Sequence, residues 1–133
     1  MKRDKKNKIG FVGLGIMGKP MVVNLIRGGY EVSFFARKKK TINEIRDIGG
    51  IFVPLIKDLP LHTDIIITNL PTTKDVKEVV IGKNGLLLNL NKDACVVDMS
   101  TISPEGTKDI SATLKRKGAF FIDAPVSGGE AGA

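Results

Sequence analysis

Residues 8–18 read KIGFVGLGIMG, a short apolar run that leads directly into a glycine-rich turn. The run KIGFV (8–12) is typical of a buried strand, and apolar side chains at helical spacing predict a helix over residues 16–27. Between them, GLGIMG (13–18) has the spacing G-x-G-x-x-G. A strand, a turn with this spacing and a helix begin a βαβ unit, so the stretch predicts a doubly wound parallel sheet.

The rest of the chain repeats this alternation of strand and helix. Further strands are predicted at residues 30–36, 51–53, 64–70, 94–99 and 119–124, and further helices at 41–48, from Thr72 and, with a Ser cap, from Ser103. Strands that alternate with helices pair in parallel through right-handed crossovers and are covered on both faces. No linker or repeat interrupts the 133 residues, so we predict one α/β domain of the Rossmann type over residues 1–133.

The composition excludes several classes of function. The net charge is +7, but the basic residues concentrate in residues 2–8, a solvated tail, and 37–40, without interleaved aromatic residues, which argues against a nucleic-acid partner. No apolar run is long enough to span a membrane, so we expect a cytoplasmic protein without a membrane partner. His62 and Cys95 are each the only residue of their kind, so neither a metal site nor an internal disulfide is expected. We expect Cys95 to be a buried strand residue.

Each glycine of the turn has a separate task if the turn binds a dinucleotide. Gly13 permits the tight turn, Gly15 leaves room for a pyrophosphate against the backbone, and Gly18 lets the helix pack close to the strand. The free N–H groups and the dipole at the helix N-terminus favour the pyrophosphate there. The alternative is a glycine-rich packing turn that binds no ligand.

The end of the second predicted strand bears on the choice of cofactor. Folds that prefer NAD usually place an Asp or Glu there to bind the ribose hydroxyls. This chain has Ala36 and then the basic run RKKK (37–40), which is a natural counterpart of a 2′-phosphate. NADP(H) is therefore favoured and NAD(H) remains possible, while a solvated basic turn is the alternative.

The carboxyl ends of the later strands border the same crevice in a doubly wound sheet. Residues 69–71, 100–101 and the loop DAPVSGG (123–129) stand at these ends, although the hydroxyls could instead cap helices. Asp98 and Asp123 could form an acid/base pair, but we favour buried, hydrogen-bonded acids that organise loops.

Six segments together resemble the β-hydroxyacid dehydrogenase family. They are GFVGLGIMGKPM (10–21), NLIRGGYEV (24–32), DIIITNLP (64–71), VKEVVIGKNGL (76–86), VVDMSTISP (96–104) and DAPVSGG (123–129). The resemblance implies NAD(P)-dependent oxidation of a small β-hydroxyacid, or reduction of the matching semialdehyde, of the 3-hydroxyisobutyrate or 2-hydroxy-3-oxopropionate type. It also implies the NADP-binding domain of the 6-phosphogluconate dehydrogenase type. Several members carry an acid at the position of Ala36, and this departure supports NADP.

The resemblance and the strand ends together give the candidate site. The cofactor-binding candidates are Gly13, Leu14, Gly15, Ile16, Met17, Gly18, Ala36, Arg37, Lys38, Asn69, Leu70, Pro71, Ser100 and Thr101. The substrate-binding candidates are Ser127, Gly128 and Gly129.

The family's catalytic lysine and its C-terminal helical domain would lie beyond Ala133. We therefore assign no catalytic residue within the chain, expect a truncated domain whose sheet is incomplete at its C-terminal end, and expect residues 1–133 alone to be inactive. The full-length protein would form a homo-oligomer. The alternatives are a stand-alone NADP(H)-binding module without catalytic activity and a degenerate relict without a ligand.

Overall fold

A computed structural model of the protein describes residues 7–133. Residues 2–6 of the predicted solvated tail lie outside the described residues. The described chain forms one six-stranded sheet, with the strands β1 Lys8–Val12, β2 Glu31–Phe35, β3 Ile51–Phe52, β4 Ile65–Thr68, β5 Cys95–Asp98 and β6 Phe120–Asp123. Every pairing is parallel and the spatial order is β3-β2-β1-β4-β5-β6. This is the Rossmann order, so the predicted fold class is confirmed.

The helices that connect strands begin within a few residues of their predicted positions, whereas the last helix, which follows β6, was not predicted. They are α1 Gly18–Arg27, α2 Lys39–Asp47, α3 Thr73–Ile81, α4 Pro104–Arg116 and the short α5 Gly129–Gly132. Two 3₁₀ helices, Ile56–Leu61 and Leu86–Asn89, were not predicted from the sequence. Their apolar residues are too few to establish a period, and Pro60 within the first is typical of a loop. Within residues 7–133, no helix has both the length and the apolar character that crossing a membrane requires.

Local sequence signals fix the ends of these helices. Asp75 donates its backbone N–H to the Thr72 hydroxyl at 3.1 Å, and Gly106 donates to the Ser103 hydroxyl at 3.0 Å, so both predicted caps are confirmed. Helix α1 ends at Arg27, and Gly29 reverses the chain after the C-cap Gly28 with a φ of +86°, a left-handed conformation that glycine adopts without strain. The two hydroxyl caps fix where the loops after β4 and β5 end.

Two hydrophobic clusters cover the two faces of the sheet. The first lies under α1 and α2 and includes Phe11, Val22, Phe34 and Ile45, and the second lies under α3, α4 and both 3₁₀ helices. Each fully buried side chain of this size contributes about 1.5–3 kcal/mol by leaving water. The sheet between these clusters is a rigid platform, and its carboxyl edge carries the loops that form the candidate site.

The face of β5 and β6 on the side of α1 is less well covered. Phe120 is 58% exposed and Ile122 is 49% exposed, and their register partners Cys95 and Val97 lie on the same face. Cys95 is therefore half-buried, and the prediction that it is fully buried is wrong. Burial still raises the pKa of the Cys95 thiol and so disfavours the thiolate.

Candidate dinucleotide-binding site

Two glycines of the turn between β1 and α1 are required by the fold itself. A Cβ on Gly13 would lie 2.0 Å from the backbone oxygen of Asn69, and the φ of Gly13 is +107°. A Cβ on Gly18 would lie 1.8 Å from the backbone oxygen of Gly13 and 3.1 Å from the ring of Phe11. No side chain fits at either position, so the predicted tasks of Gly13 in the tight turn and of Gly18 in close packing are confirmed.

Gly15 differs from both because nothing in the described chain requires it. A Cβ at Gly15 would meet no atom within 4 Å. Its φ also lies outside the left-handed region, so the backbone conformation alone does not demand glycine. The residue is exposed in the turn before α1, where Ile16 is 77% exposed. The space beside Gly15 is therefore open to a ligand, and the N-terminal N–H groups of α1 suit an anion there.

The end of β2 presents a cluster of positive charge. Ala36 is half-buried, whereas Arg37 and Lys38 are exposed. Lys38 is the N-cap of α2, and Lys39 and Lys40 stand in its first turn, which contains no acidic residue. Cations at this end of a helix are disfavoured by the helix dipole, and a nearby anion would offset this repulsion. Within residues 7–133, Arg37, Lys38 and Lys39 form no ion pair.

An ion pair that the sequence did not signal joins the first two helices. Lys19, one residue after the glycine turn, donates a hydrogen bond to the carboxylate of Glu44 on α2. Lys40 lies 4.0 Å from the second oxygen of the same carboxylate. The hydrogen bond from Lys19 lowers the pKa of Glu44, and the charges of both lysines add to this effect against a partial desolvation that raises it. The pair links the glycine turn to the helix that carries the basic cluster.

A buried hydrogen-bond network joins the ends of β4 and β5. Oδ1 of Asp98 accepts from the Thr68 hydroxyl at 2.8 Å and from the Ser100 backbone N–H at 3.2 Å. The Ser100 hydroxyl in turn accepts from the Leu70 N–H at 2.8 Å. Asp98 and Thr68 are 0% exposed and Ser100 is 2% exposed. The prediction that Asp98 is a buried acid that organises loops is confirmed.

The candidates after β4 and β5 differ in how far they reach the surface. Pro71 and Thr101 are exposed, and Asn69 and Leu70 are half-buried, so these four can face a ligand. Ser100 is buried and its hydroxyl accepts a hydrogen bond from the Leu70 N–H, so in the structure Ser100 holds the loop. Direct contact of Ser100 with a cofactor stays a prediction.

The loop after β6 is exposed throughout its substrate-binding candidates. Ser127, Gly128 and Gly129 are exposed, and the φ values of the two glycines are +98° and +60°. Asp123 is also exposed, so the prediction of a buried, hydrogen-bonded acid is wrong at this position. Asp98 ends β5, which has a strand on each side, whereas Asp123 ends the edge strand β6.

The segment after this loop turns back towards the glycine turn. Glu130 lines a groove with Gly15 and Ile16 beside α1. The side-chain amide of Asn24 on α1 donates to the backbone oxygen of Ala133 at 2.5 Å. The structure therefore brings the region that follows the substrate-binding candidates close to the cofactor-binding candidates. In the described part of the chain, no group of three His, Cys, Asp or Glu side chains could hold a metal ion.

Comparison with known proteins assigns the chain to a family of nucleotide-binding domains. Residues 8–133 match the family described as the NAD binding domain of 6-phosphogluconate dehydrogenase. The chain belongs to this family. Its relatives are oxidoreductases, which confirms the resemblance to the β-hydroxyacid dehydrogenases.

Two curated relatives and one solved structure illustrate the similarity. The 2-hydroxy-3-oxopropionate reductase of Escherichia coli (strain K12) is 40% identical over 126 residues, which are 95% of this chain and 43% of the reductase. The mitochondrial 3-hydroxyisobutyrate dehydrogenase of Homo sapiens is 39% identical over 124 residues, 93% of this chain and 37% of that enzyme. A structure of Psf3 in complex with NADP+ and 2-OPP is 30% identical with a TM-score of 0.89, over 94% of this chain and 44% of Psf3. The chain spans less than half the length of these proteins.

Sequence reasoning missed three residues that form contacts around the candidate site. Thr68 gave no signal except its place at the end of an apolar strand. Lys19 and Glu44 stand 25 positions apart, on two helices whose packing the sequence did not define. An acid facing a basic run at helical spacing could have suggested the pair between Lys40 and Glu44, although not the partner on α1.

Proposed function

We propose that this chain is the cofactor-binding part of an NADP(H)-linked β-hydroxyacid dehydrogenase or semialdehyde reductase. The observation that carries the proposal is the open space at Gly15, because neither packing nor backbone conformation explains a glycine there. A pyrophosphate held by backbone N–H groups does explain it, since a side chain would keep the phosphate away. The relatives that reduce 2-hydroxy-3-oxopropionate or oxidise 3-hydroxyisobutyrate support the reaction class.

The chain's residues would divide the cofactor between them. The backbone of residues 14–17 would hold the pyrophosphate, and Arg37 and Lys38 would hold a 2′-phosphate. The loops at residues 69–71 and 100–101 would flank the other half of the dinucleotide. The bound cofactor supplies or accepts the hydride, and the chain's part is to bind and orient it. Ser127, Gly128 and Gly129 would bind the carboxylate or hydroxyl of the substrate.

The preference for NADP(H) over NAD(H) can be tested by calorimetry at low salt. We expect NADPH to bind more tightly than NADH, because Ala36 offers no acid to the ribose and exposed cations follow it. Arg37→Ala should weaken NADPH by about 1–3 kcal/mol, or roughly 5–150-fold, by removing a charge-assisted contact, and should leave NADH unchanged. Arg116→Ala is the matched control, since Arg116 is exposed on α4 and donates a hydrogen bond to the Thr113 hydroxyl on the same helix. Equal affinity of the wild-type protein for both cofactors would contradict the preference.

We further propose that residues 1–133 alone catalyse no turnover. Hydride transfer to a semialdehyde leaves a developing alkoxide that needs a positioned proton donor, which contributes about 10²–10⁴-fold. The family resemblance assigns that donor to a lysine beyond Ala133. The measurement is NADPH oxidation with tartronate semialdehyde and methylmalonate semialdehyde, on protein whose intact mass corresponds to residues 1–133. Turnover at an ordinary enzyme rate would show that the proton donor has been misassigned.

The longer protein decides between the proposed enzyme and a binding module. Turnover by a protein that continues beyond residue 133, without turnover by residues 1–133, supports the enzyme. A longer protein that binds NADPH but turns over neither semialdehyde would favour the module. We also propose that the protein is located in the cytoplasm and that the longer protein forms a homo-oligomer.

A further inference from the structure

Asp98 is a buried carboxylate for which the proposed function gives no direct use. It is 0% exposed, and its Oδ1 accepts two hydrogen bonds, from the Thr68 hydroxyl and the Ser100 N–H. Within residues 7–133, its Oδ2 has no hydrogen-bond partner. A half-satisfied buried carboxylate is costly for a fold, and an apolar residue would fill the same place at lower cost. The two bonds that Oδ1 makes are therefore what an acid contributes at this position.

These two bonds begin a chain of contacts that ends at the surface of the site. Asp98 fixes the backbone of Ser100, and the Ser100 hydroxyl fixes the N–H of Leu70 at 2.8 Å. The backbone N–H of Met99 also donates to the oxygen of Thr68 at 2.8 Å. The loops after β4 and β5 are thus held to each other.

The position of this network in the sheet decides which part of a dinucleotide it can affect. The strand order reverses between β1 and β4, and a dinucleotide lies across such a reversal with one nucleoside on each side. The basic cluster after β2 lies on one side, and the loops joined by Asp98 lie on the other. A cofactor whose 2′-phosphate meets the basic cluster would place its nicotinamide half over the loops after β4 and β5.

We propose that Asp98 is a positioning residue for the nicotinamide half of the cofactor, an inference that rests on the proposed function. It acts through Ser100 and Leu70 and does not touch the cofactor. Its loss should weaken ligands that contain the nicotinamide half and spare those that contain the adenosine half alone.

The test compares NADPH with adenosine 2′,5′-bisphosphate, which carries the adenosine half without nicotinamide. Asp98→Asn keeps the shape of the side chain but removes the charge that orders the two donors. We expect it to weaken NADPH by about 10-fold or more, the scale of a hydrogen bond to a charged group, and to change the bisphosphate by less than about 2-fold. Asp109→Asn is the matched control, because Asp109 is an exposed acid on α4 that pairs with Lys77 at 3.1 Å. It should leave both affinities unchanged.

A second variant keeps the test decisive if Asp98→Asn does not fold. Ser100→Ala leaves Asp98 in place and removes only the acceptor of the Leu70 N–H, so it should show the same selective loss. Equal weakening of both ligands, or no weakening of either, in a folded variant would overturn the inference while leaving the proposed function standing. A wild-type protein that binds neither ligand would overturn both.

Discussion

Replacing Gly15 with valine should separate cofactor binding from folding. A Cβ at Gly15 meets no atom within 4 Å, so the substitution resembles an exposed one and should change stability by no more than about 0.5 kcal/mol. For a domain of this size, 1 kcal/mol shifts Tm by about 3–6 °C, so Tm should move by less than about 3 °C. The isopropyl group would nevertheless occupy the place proposed for the pyrophosphate.

The expected loss of binding is large. Each hydrogen bond from a backbone N–H to a phosphate contributes about 1.5–3 kcal/mol, so losing even one weakens NADPH by roughly 10–150-fold. Because valine would displace the phosphate from more than one N–H group, we expect a loss of at least about 100-fold. The assays are calorimetric titration of NADPH and thermal unfolding followed by circular dichroism.

Gly18→Ala is the contrasting variant. Its Cβ would lie 1.8 Å from the backbone oxygen of Gly13, so the start of α1 must move away from the turn. Overpacking of this kind costs about 1–3 kcal/mol, which corresponds to a fall in Tm of roughly 3–18 °C. If Gly15→Val retained the wild-type affinity for NADPH, the cofactor would not lie at this turn. If it instead lost as much stability as Gly18→Ala, the space at Gly15 would not be open.

Two further predictions concern contacts around the site. The folded-state pKa of Glu44 is held below its ordinary value of 4.5, mainly by the hydrogen bond from Lys19, so the ionised pair stabilises the fold above that pH. The difference in Tm between the wild-type protein and Glu44→Gln should therefore be constant near neutrality and should disappear as the pH falls through the lowered pKa. A difference that grows in acid would contradict the stabilising role of the ionised pair. Ser103→Ala removes the cap of α4 and should lower the free energy of unfolding by about 1 kcal/mol, measured by urea denaturation, while an unchanged midpoint would show that the bond to Gly106 contributes nothing.

The parts of the fold that depend on local sequence could be predicted. The apolar runs located the strands, the hydroxyls of Thr72 and Ser103 located two helix starts, and the glycine spacing assigned different tasks to Gly13 and Gly18. In each case the controlling atoms lie within a few residues of one another, so the pattern contains the physical cause.

The parts of the fold that depend on packing between distant residues could not be predicted. The Ser100 hydroxyl is engaged by the N–H of Leu70, a residue 30 positions away, and this follows only from the pairing of β4 with β5. The same limit explains Asp123, which follows an apolar strand just as Asp98 does but lies on the edge strand, where its surroundings are solvent. The sequence placed both acids at strand ends without fixing how many neighbours each strand would have.

The contrast between Gly15 and its two neighbouring glycines has a consequence for how such a domain changes over generations. In a lineage released from binding a cofactor, random substitution would be tolerated at position 15, where a new side chain meets nothing. Positions 13 and 18 would still be held by the cost of misfolding, because their substitutes collide with backbone. A lineage that had lost its ligand would thus keep Gly13 and Gly18 and would lose Gly15 first. Under the proposed function, position 15 is therefore held by the ligand, whereas positions 13 and 18 are held by the fold.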